Sequence, residues 1–363
     1  MLKDGVVTAL GTMSGTSLDG VDAAVLQTDG ERIAGFGPTA YRPYSKAERA
    51  VLQAHLGRWP EDDISAAKEV VEAAHLAVMA PFEGIDVAGF HGQTLAHDPG
   101  RGRTHQCGDG GRLARSLGYP VVGDFRSADM RGGGQGAPLA PFYHFALAHW
   151  IRADAPIAFL NLGGVGNITW VDPRFSRPEE EGALLAFDTG PANAPINDVM
   201  QRLAGVPYDD GGKLAAEGRV DASVLSAFQR DPYFTTSPPK SLDRNAFGRL
   251  SGAVSGMALA DAVATLTQAA VWAVVQALAL CPTRPNMLYV TGGGRKNRTM
   301  MDWLARDCSC DVAAVESAGM DGDMLEAQAF AYLAVRAARG LPISAPGTTG
   351  ITRPAVGGYV FTG

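Results

Sequence analysis

The feature that most constrains the fold is a plan used twice: an apolar run, a turn built on glycine, and a second apolar run. In the first copy Val6-Val7-Thr8-Ala9-Leu10 leads into Gly11-Thr12-Met13-Ser14-Gly15-Thr16-Ser17-Leu18-Asp19-Gly20-Val21-Asp22, and Ala23-Ala24-Val25-Leu26 follows. In the second, Ile157-Ala158-Phe159-Leu160-Asn161-Leu162 meets the turn Gly163-Gly164-Val165-Gly166 and then Asn167-Ile168-Thr169-Trp170-Val171. Short β-prone runs bounded by glycine read as hairpins, so residues 6–10 and 21–27 are expected to pair as strands, and the second set likewise. The two copies share little identity, but a repeated plan points to an internal duplication. With 363 residues the chain exceeds what a single core serves well, and two lobes are expected.

Between the hairpins the period changes. Ile64, Ala67, Val71, Ala74 and Val78 recur at spacings of three and four, which predicts a helix beginning after Glu61-Asp62-Asp63 and ending at Pro81 and Gly84. Residues 85–90 and 120–125 read as further strands, each delivering polar residues at its C-terminal end, where ligands sit in open α/β sheets. Later come a long alanine-rich helix and Met287-Leu288-Tyr289-Val290, a buried strand that enters Thr291-Gly292-Gly293-Gly294 before a helix near residues 298–304. Such a loop lets a backbone approach a nucleotide, although a plain tight turn would use the same glycines.

The chemistry suggested by the loops is anion handling. Glycine lets backbone N–H groups approach a phosphate, hydroxyls add donors, and a carboxylate beside them can hold a divalent ion or take a proton. The loop at residues 11–22 has all three, and so does Phe187-Asp188-Thr189-Gly190-Pro191-Ala192-Asn193. Phosphoryl transfer from a nucleotide needs this combination. On its own, however, Asp188 reads equally as a helix N-cap or turn acid, and Asp19 and Asp22 as turn acids.

Composition excludes other classes. A net charge of -7 with no run of Lys or Arg argues against a nucleic acid or an anionic membrane as partner. Cys107, Cys281, Cys308 and Cys310 lack the spacing of a zinc site, and reduced thiols fit a cytoplasmic setting. The N-terminus has no apolar signal core. Residues 262–283 hold no charge and approach the length of a membrane span, but Thr265, Thr267, Gln268 and Gln276 favour a buried core helix.

In this order the motifs resemble the anhydro-N-acetylmuramic acid kinase family of the actin/hexokinase/Hsp70-like superfamily. The resemblance rests on GTMSGTSLDGVDA (11–23), HGQTLAH (91–97), QCGDGG (106–111), VVGDFR (121–126), GGQGAPLAP (133–141), NLGGVGNIT (161–169), FDTGPAN (187–193), DPYFTTSPPKSLDR (231–244) and TGGGRKN (291–297). It implies an α/β fold of two ribonuclease-H-like lobes, residues 1–150 and 151–363, around a nucleotide and sugar cleft, the C-terminal tail packing back on the first lobe. It implies a cytoplasmic enzyme of peptidoglycan recycling that uses ATP and Mg²⁺. The reaction would open the 1,6-anhydro ring of 1,6-anhydro-N-acetylmuramic acid with water and phosphorylate O6. A related sugar kinase with another acceptor, or an inactive nucleotide-binding regulator, are the alternatives, and a homodimer is compatible.

Residue by residue, the resemblance makes Asp188 the catalytic base. Gly15, Thr16, Ser17, Leu18, Asp19, Gly20, Val21 and Asp22 match the ATP-binding loop, with Asp19 and Asp22 as candidate metal ligands. Gly163 and Gly164 match a second phosphate turn, and Gly292, Gly293 and Gly294 an adenosine-side loop. His91, Thr94, Asp124, Arg126 and Arg131 match positions near the sugar; a metal role for His91 and His97 lacks partner spacing. Arg126 or Arg131 is suited to the lactyl carboxylate, since arginine grips carboxylates bidentately. Two departures stand out. Lys240-Ser241-Leu242-Asp243-Arg244 replaces the usual Lys-Ser-Thr-Gly-Arg, which bears on the acceptor. Ala192-Asn193-Ala194-Pro195-Ile196-Asn197-Asp198 alters the helix start behind Asp188.

Overall fold

Each expected hairpin forms and becomes the start of a five-strand unit. In a computed structural model that describes residues 2–243 and 246–363, β1 (Val7–Ser14), β2 (Gly20–Thr28) and β3 (Ile33–Pro43) make an antiparallel meander. β4 (Val87–Asp98) lies parallel to β1, β5 (Arg103–Cys107) folds back on β4, and β6 (Val121–Gly123) lies parallel to β4. The second sheet repeats this with β7 (Ile157–Leu162), β8 (Val165–Val171) and β9 (Leu184–Pro191) as the meander, then β10 (Met287–Thr291) and β11 (Asp311–Ala314) in parallel. The strand orders are β3-β2-β1-β4-β6 and β9-β8-β7-β10-β11, the same ribonuclease-H order with the same directions. The duplication read from two glycine turns therefore extends to whole sheets.

The chain divides into two compact units, Met1–Arg152 with Phe175–Glu181 and Met324–Gly363, and Ala153–Arg174 with Gly182–Asp323. The second lobe thus ends at Asp323 rather than at residue 363. The reason lies in the helix Leu325–Ala338, which buries Leu325, Phe330, Tyr332, Leu333 and Val335 and packs on β1, β2 and β4. β12 (Tyr359–Phe361) then pairs antiparallel with β6. Arg336 on that helix is 2% exposed and pairs with Glu179 at 3.0 Å, tying residues 175–181 to the same unit.

Three sequence expectations shift. β1 runs on through Gly11 to Ser14, because Gly11 serves packing: a Cβ there would fall 1.9 Å from the Ala327 carbonyl oxygen. Gly89 on β4 is constrained alike, at 2.1 Å from the Phe330 oxygen. Glycine read as a turn signal is here the site where a helix backbone approaches a strand. β4 likewise continues past residue 90 to Asp98. The helix Ser65–Met79 starts just after Ile64, which is its N-cap, and buries Ala67, Val71, Ala74 and Val78 as the spacing required.

The alanine-rich segment forms Leu259–Ala279, long and apolar enough by length and composition to cross a membrane. It is packed inside the second unit, where Ala262, Val263, Leu266, Ala270, Val271 and Val274 join the core. Small side chains let it lie close to its neighbours: a Cβ on Gly190 of β9 would be 2.7 Å from that of Ala273.

Candidate active site

Strand register in the second unit lines up four polar residues. Thr291 on β10 pairs with Asn161 on β7, Asn161 with Asn167 on β8, and Asn167 with Asp188 on β9. Residues directly opposite one another share a face of the sheet, so the row forms one polar strip. Asp188 sits inside β9, and the N-cap of the following helix Asn193–Ala204 is Ala192, so the capping alternative for Asp188 does not hold. Its carboxylate accepts the Leu242 N–H at 2.7 Å, its own N–H donates to the Lys240 carbonyl at 3.0 Å, and its carbonyl accepts the Tyr233 hydroxyl. Burial raises its pKa to about 6, against the pull of the Leu242 N–H. A carboxylate so tuned is poised to accept a proton near neutral pH.

The departure at residues 240–243 can be placed beside it. Leu242 serves Asp188 through its backbone, which any side chain at that position leaves in place, and its own side chain packs against the second unit's core. Lys240 is 8% exposed, donates to the Tyr233 carbonyl at 2.8 Å and lies 4.2 Å from that ring's centroid. Arg244, the last residue of this motif, lies outside the described residues. The second departure leaves the helix Asn193–Ala204 with no side-chain cap at Ala192, and Asn193 instead turns toward the glycine turn.

That turn is held by its carbonyls. Asn193 donates its N–H and its Nδ2 to the Gly163 oxygen, both at 3.0 Å, and Nδ2 to the Leu162 oxygen at 2.7 Å. The N–H groups of Ala192 and Ala194 both reach the Gly164 oxygen at 3.1 Å. With its carbonyls tied down, the turn is set against presenting them to an anion.

Glycines at these loops fall into two kinds. Gly292 has φ 73° and a Cβ there would lie 2.2 Å from Asn161 Oδ1, while one on Gly294 would lie 2.5 Å from the Leu162 side chain. Packing demands both, and at Gly292 so does the backbone conformation. At Gly293 the nearest atom to a Cβ is 3.9 Å away, at Gly163 3.6 Å, at Gly164 3.4 Å and at Gly15 3.5 Å, none with positive φ. Nothing in the protein itself requires glycine at these four positions.

In the first unit the loop between β1 and β2 is short. Leu18, at φ 57° and 4% exposed, anchors it in the core and donates its N–H to the Gly15 carbonyl at 3.1 Å. Gly20 and Val21 are buried within β2, which leaves Thr16, Ser17 and Asp19 exposed and Asp22 half-buried. Burial, and then the charges of Asp19 and Asp22, raise the Tyr41 hydroxyl, so both carboxylates lie near that ring. Among the described residues no group of three or more His, Cys, Asp or Glu could hold a metal by itself. Two carboxylates fit Mg²⁺, which is commonly held by one or two carboxylates with waters and substrate phosphates completing its shell.

The residues expected near the sugar also belong to the first unit. His91 is 3% exposed and its Nδ1 donates to the Gly92 carbonyl at 2.8 Å, while Nε2 meets Arg126 Nε at 3.1 Å and a terminal nitrogen at 2.9 Å. Burial, followed by the Arg126 charge, holds the imidazole well below its ordinary pKa. Arg126 also donates to the Gly136 carbonyl at 2.6 Å, and burial lowers it to about 10 while Glu326 and Asp129 pull it back up. Asp124, in the left-handed region at φ 52°, lines a cavity of about 210 Å³ with His91, Thr104, Gln106 and Ser127. Thr94 accepts from Gln106 Nε2 at 3.2 Å. Arg131 is exposed and opens onto an adjoining cavity of about 270 Å³ with Trp59 and Arg103, Thr104 lining both cavities.

Sequence reasoning had not singled out Asn161, Asn167, Asn193, Lys240 or Tyr233, although each lies in a motif quoted above. Glu326 lies in none. It stands in the first turn of the helix Leu325–Ala338, close enough to Arg126 for each charge to favour the other's ionised form.

Comparison with known proteins gives the family. The sequence profile for anhydro-N-acetylmuramic acid kinase matches residues 7–363. A protein of that name from Cereibacter sphaeroides is 63% identical over 352 residues, covering 97% of this chain and 95% of its own. Those from Ruegeria sp. and Roseobacter denitrificans are 59% and 57% identical, covering 99% of this chain each and 96% and 95% of their own lengths. The chain therefore belongs to the anhydro-N-acetylmuramic acid kinase family.

Proposed function

We propose that the chain opens 1,6-anhydro-N-acetylmuramic acid and phosphorylates it with ATP, giving N-acetylmuramic acid 6-phosphate and ADP for cell-wall recycling. The observation that carries this reading is Asp188: a carboxylate on the polar strip of the second sheet, fixed by the Leu242 N–H, with its pKa raised to about 6. One carboxylate suffices for the reaction. A water adds through its oxygen to C1 and gives its proton to Asp188, the C1–O6 bond breaks, and O6 takes the γ-phosphoryl group as ADP departs. An inverting glycosidase needs a second acid to protonate the leaving oxygen; here phosphorus captures it.

The remaining residues bind and orient. The open glycines Gly15, Gly163, Gly164 and Gly293 would let backbone approach the nucleotide, the first two turns at its phosphates and the third beside adenosine. Mg²⁺, when bound, neutralises phosphate charge, and Asp19 and Asp22 would hold it. Arg126 keeps one N–H on each terminal nitrogen beyond those given to His91 and Gly136, and these are left to donate to a carboxylate. The lactyl group of the substrate supplies that carboxylate. The Leu242 substitution leaves this chemistry intact, because its N–H to Asp188 is backbone.

Reaction in ¹⁸O-water is the test. The label is expected on the anomeric carbon of the sugar phosphate and absent from the phosphoryl group. A sugar kinase acting on a free hydroxyl would leave C1 unlabelled, and a bare ATPase would label phosphate; either result rejects the reading. 1,6-Anhydro-N-acetylmuramic acid should also far exceed 1,6-anhydroglucose in kcat/KM, since only the former offers a carboxylate to Arg126.

A further inference from the structure

β4 carries a bulge whose two flanks reach different parts of the first unit. Thr12 pairs with Phe90, but the next pair is Ser14 with Gln93, so β4 spends one residue more than β1. Gly92 provides it at φ 75°, where a Cβ would fall 2.7 Å from the Cys107 carbonyl oxygen. A bulge of this kind re-aims the side chains around it. On one side His91 meets Arg126; on the other Gln93, fully buried, reaches the loop between β1 and β2.

The hydrogen-bond directions are fixed by what each atom can do. Gln93 Nε2 faces two carbonyls, Gly15 at 3.2 Å and Thr94 at 3.3 Å, so it must be the amide nitrogen. Its Oε1 then accepts from the Ser14 hydroxyl, whose one proton is spent there, and the Tyr44 hydroxyl 3.0 Å away must donate to Ser14. Tyr44, Ser14, Gln93 and Gly15 form a directed chain that ends on the first glycine of the loop. At His91, Nδ1 gives its proton to the Gly92 carbonyl, which leaves Nε2 as the acceptor for two N–H groups of Arg126. The imidazole is neutral in this role, and the ring is held against Phe330 at 4.6 Å.

We propose that His91 and Gln93 are a pair of positioning residues, one for each substrate: His91 aims Arg126 at the sugar carboxylate, and Gln93 sets the Gly15 end of the loop for the nucleotide phosphates. Neither acts as a catalytic residue. The proposal rests on the reading of Arg126 and the loop given above. It places the two roles two residues apart on one strand, with Gly92 separating them.

Steady-state kinetics with each substrate varied in turn tests this. Gln93→Met should raise KM for ATP about tenfold, the worth of one directed hydrogen bond, and leave KM for the sugar within about threefold. His91→Leu should do the reverse, and His91→Gln, which can again place an acceptor before Arg126, should recover most of the loss. Ser14→Ala, which removes the hydroxyl holding Gln93 Oε1, gives the same nucleotide readout if Gln93→Met does not fold. Arg126→Ala separates the proposal from the reading beneath it. If that variant leaves sugar KM unchanged, the carboxylate grip is wrong; if it raises sugar KM while His91→Leu does not, His91 is no positioning residue. Folded Gln93 and Ser14 variants with an unchanged KM for ATP, or with both KM values raised alike, would overturn the role of Gln93.

Discussion

At the scale of single residues, Asp188 makes a prediction with a sign. Its pKa is raised to about 6 by burial, so the carboxyl is ionised above that value, and if it is the base activity should climb through about pH 6 to a plateau. Asp188→Asn should keep nucleotide binding and lose at least about 10²-fold in turnover; a rate within a few-fold of the parent would remove Asp188 from this role. Stability moves the other way. The native pKa lies above that of the unfolded chain, so the native carboxyl holds its proton more tightly between about pH 4 and pH 6, and the full cost of the buried charge falls above pH 6. Asp188→Asn should therefore melt higher than the parent at pH 8, and that gain should shrink by pH 4. A gain equal at both pH values would trace it to packing instead of charge.

At the scale of elements, the loop after β10 separates packing glycines from open ones. Gly292→Ala forces a Cβ against Asn161 and backbone at a positive φ, so Tm should fall whatever the ligand. At Gly293 an added Cβ comes no nearer than 3.9 Å to another atom, so Gly293→Val should change Tm little. If a nucleotide lies against this loop, Gly293→Val should raise KM for ATP far more than KM for the sugar; calorimetry showing unchanged nucleotide affinity would assign the loop to structure alone. The strand–helix contact gives a parallel case. Gly89→Ala drives a Cβ to 2.1 Å from the Phe330 oxygen and should cost about 1–3 kcal/mol, the usual scale for overpacking, in denaturant unfolding.

At the scale of the whole molecule, the first unit is discontinuous in sequence. Its sheet is covered by a helix that arrives after the whole second unit has been traversed. A chain truncated after Asp323 would leave the face of β1, β2 and β4 without Phe330, Leu333 and Val335, and should lose the cooperative unfolding of its first unit. Residues 324–363 supplied as a separate polypeptide should restore it. A truncated chain whose first unit stays protected in hydrogen exchange would show that the terminal helix is dispensable.

The sequence by itself determined the two hairpins, the helix over residues 65–79, the buried alanine-rich helix and the motifs that name the family, because period and glycine placement are local signals. It also marked Asp188, but left the helix cap open as its role. Strand register closed that alternative, by setting Asp188 inside β9 opposite Asn167 and bringing the Leu242 N–H to its carboxylate. Gly11 and Gly293 look alike in the sequence, yet one gives way to a helix backbone and the other has room for a Cβ, its nearest neighbour 3.9 Å away. His91 was expected near the sugar from its motif alone, while its neutral tautomer and its hold on Arg126 required a bulge that no local pattern announces. Glu326 went unmarked for the same reason: its environment is made by residues far away in the chain, and only the folded backbone brings Arg126 near it.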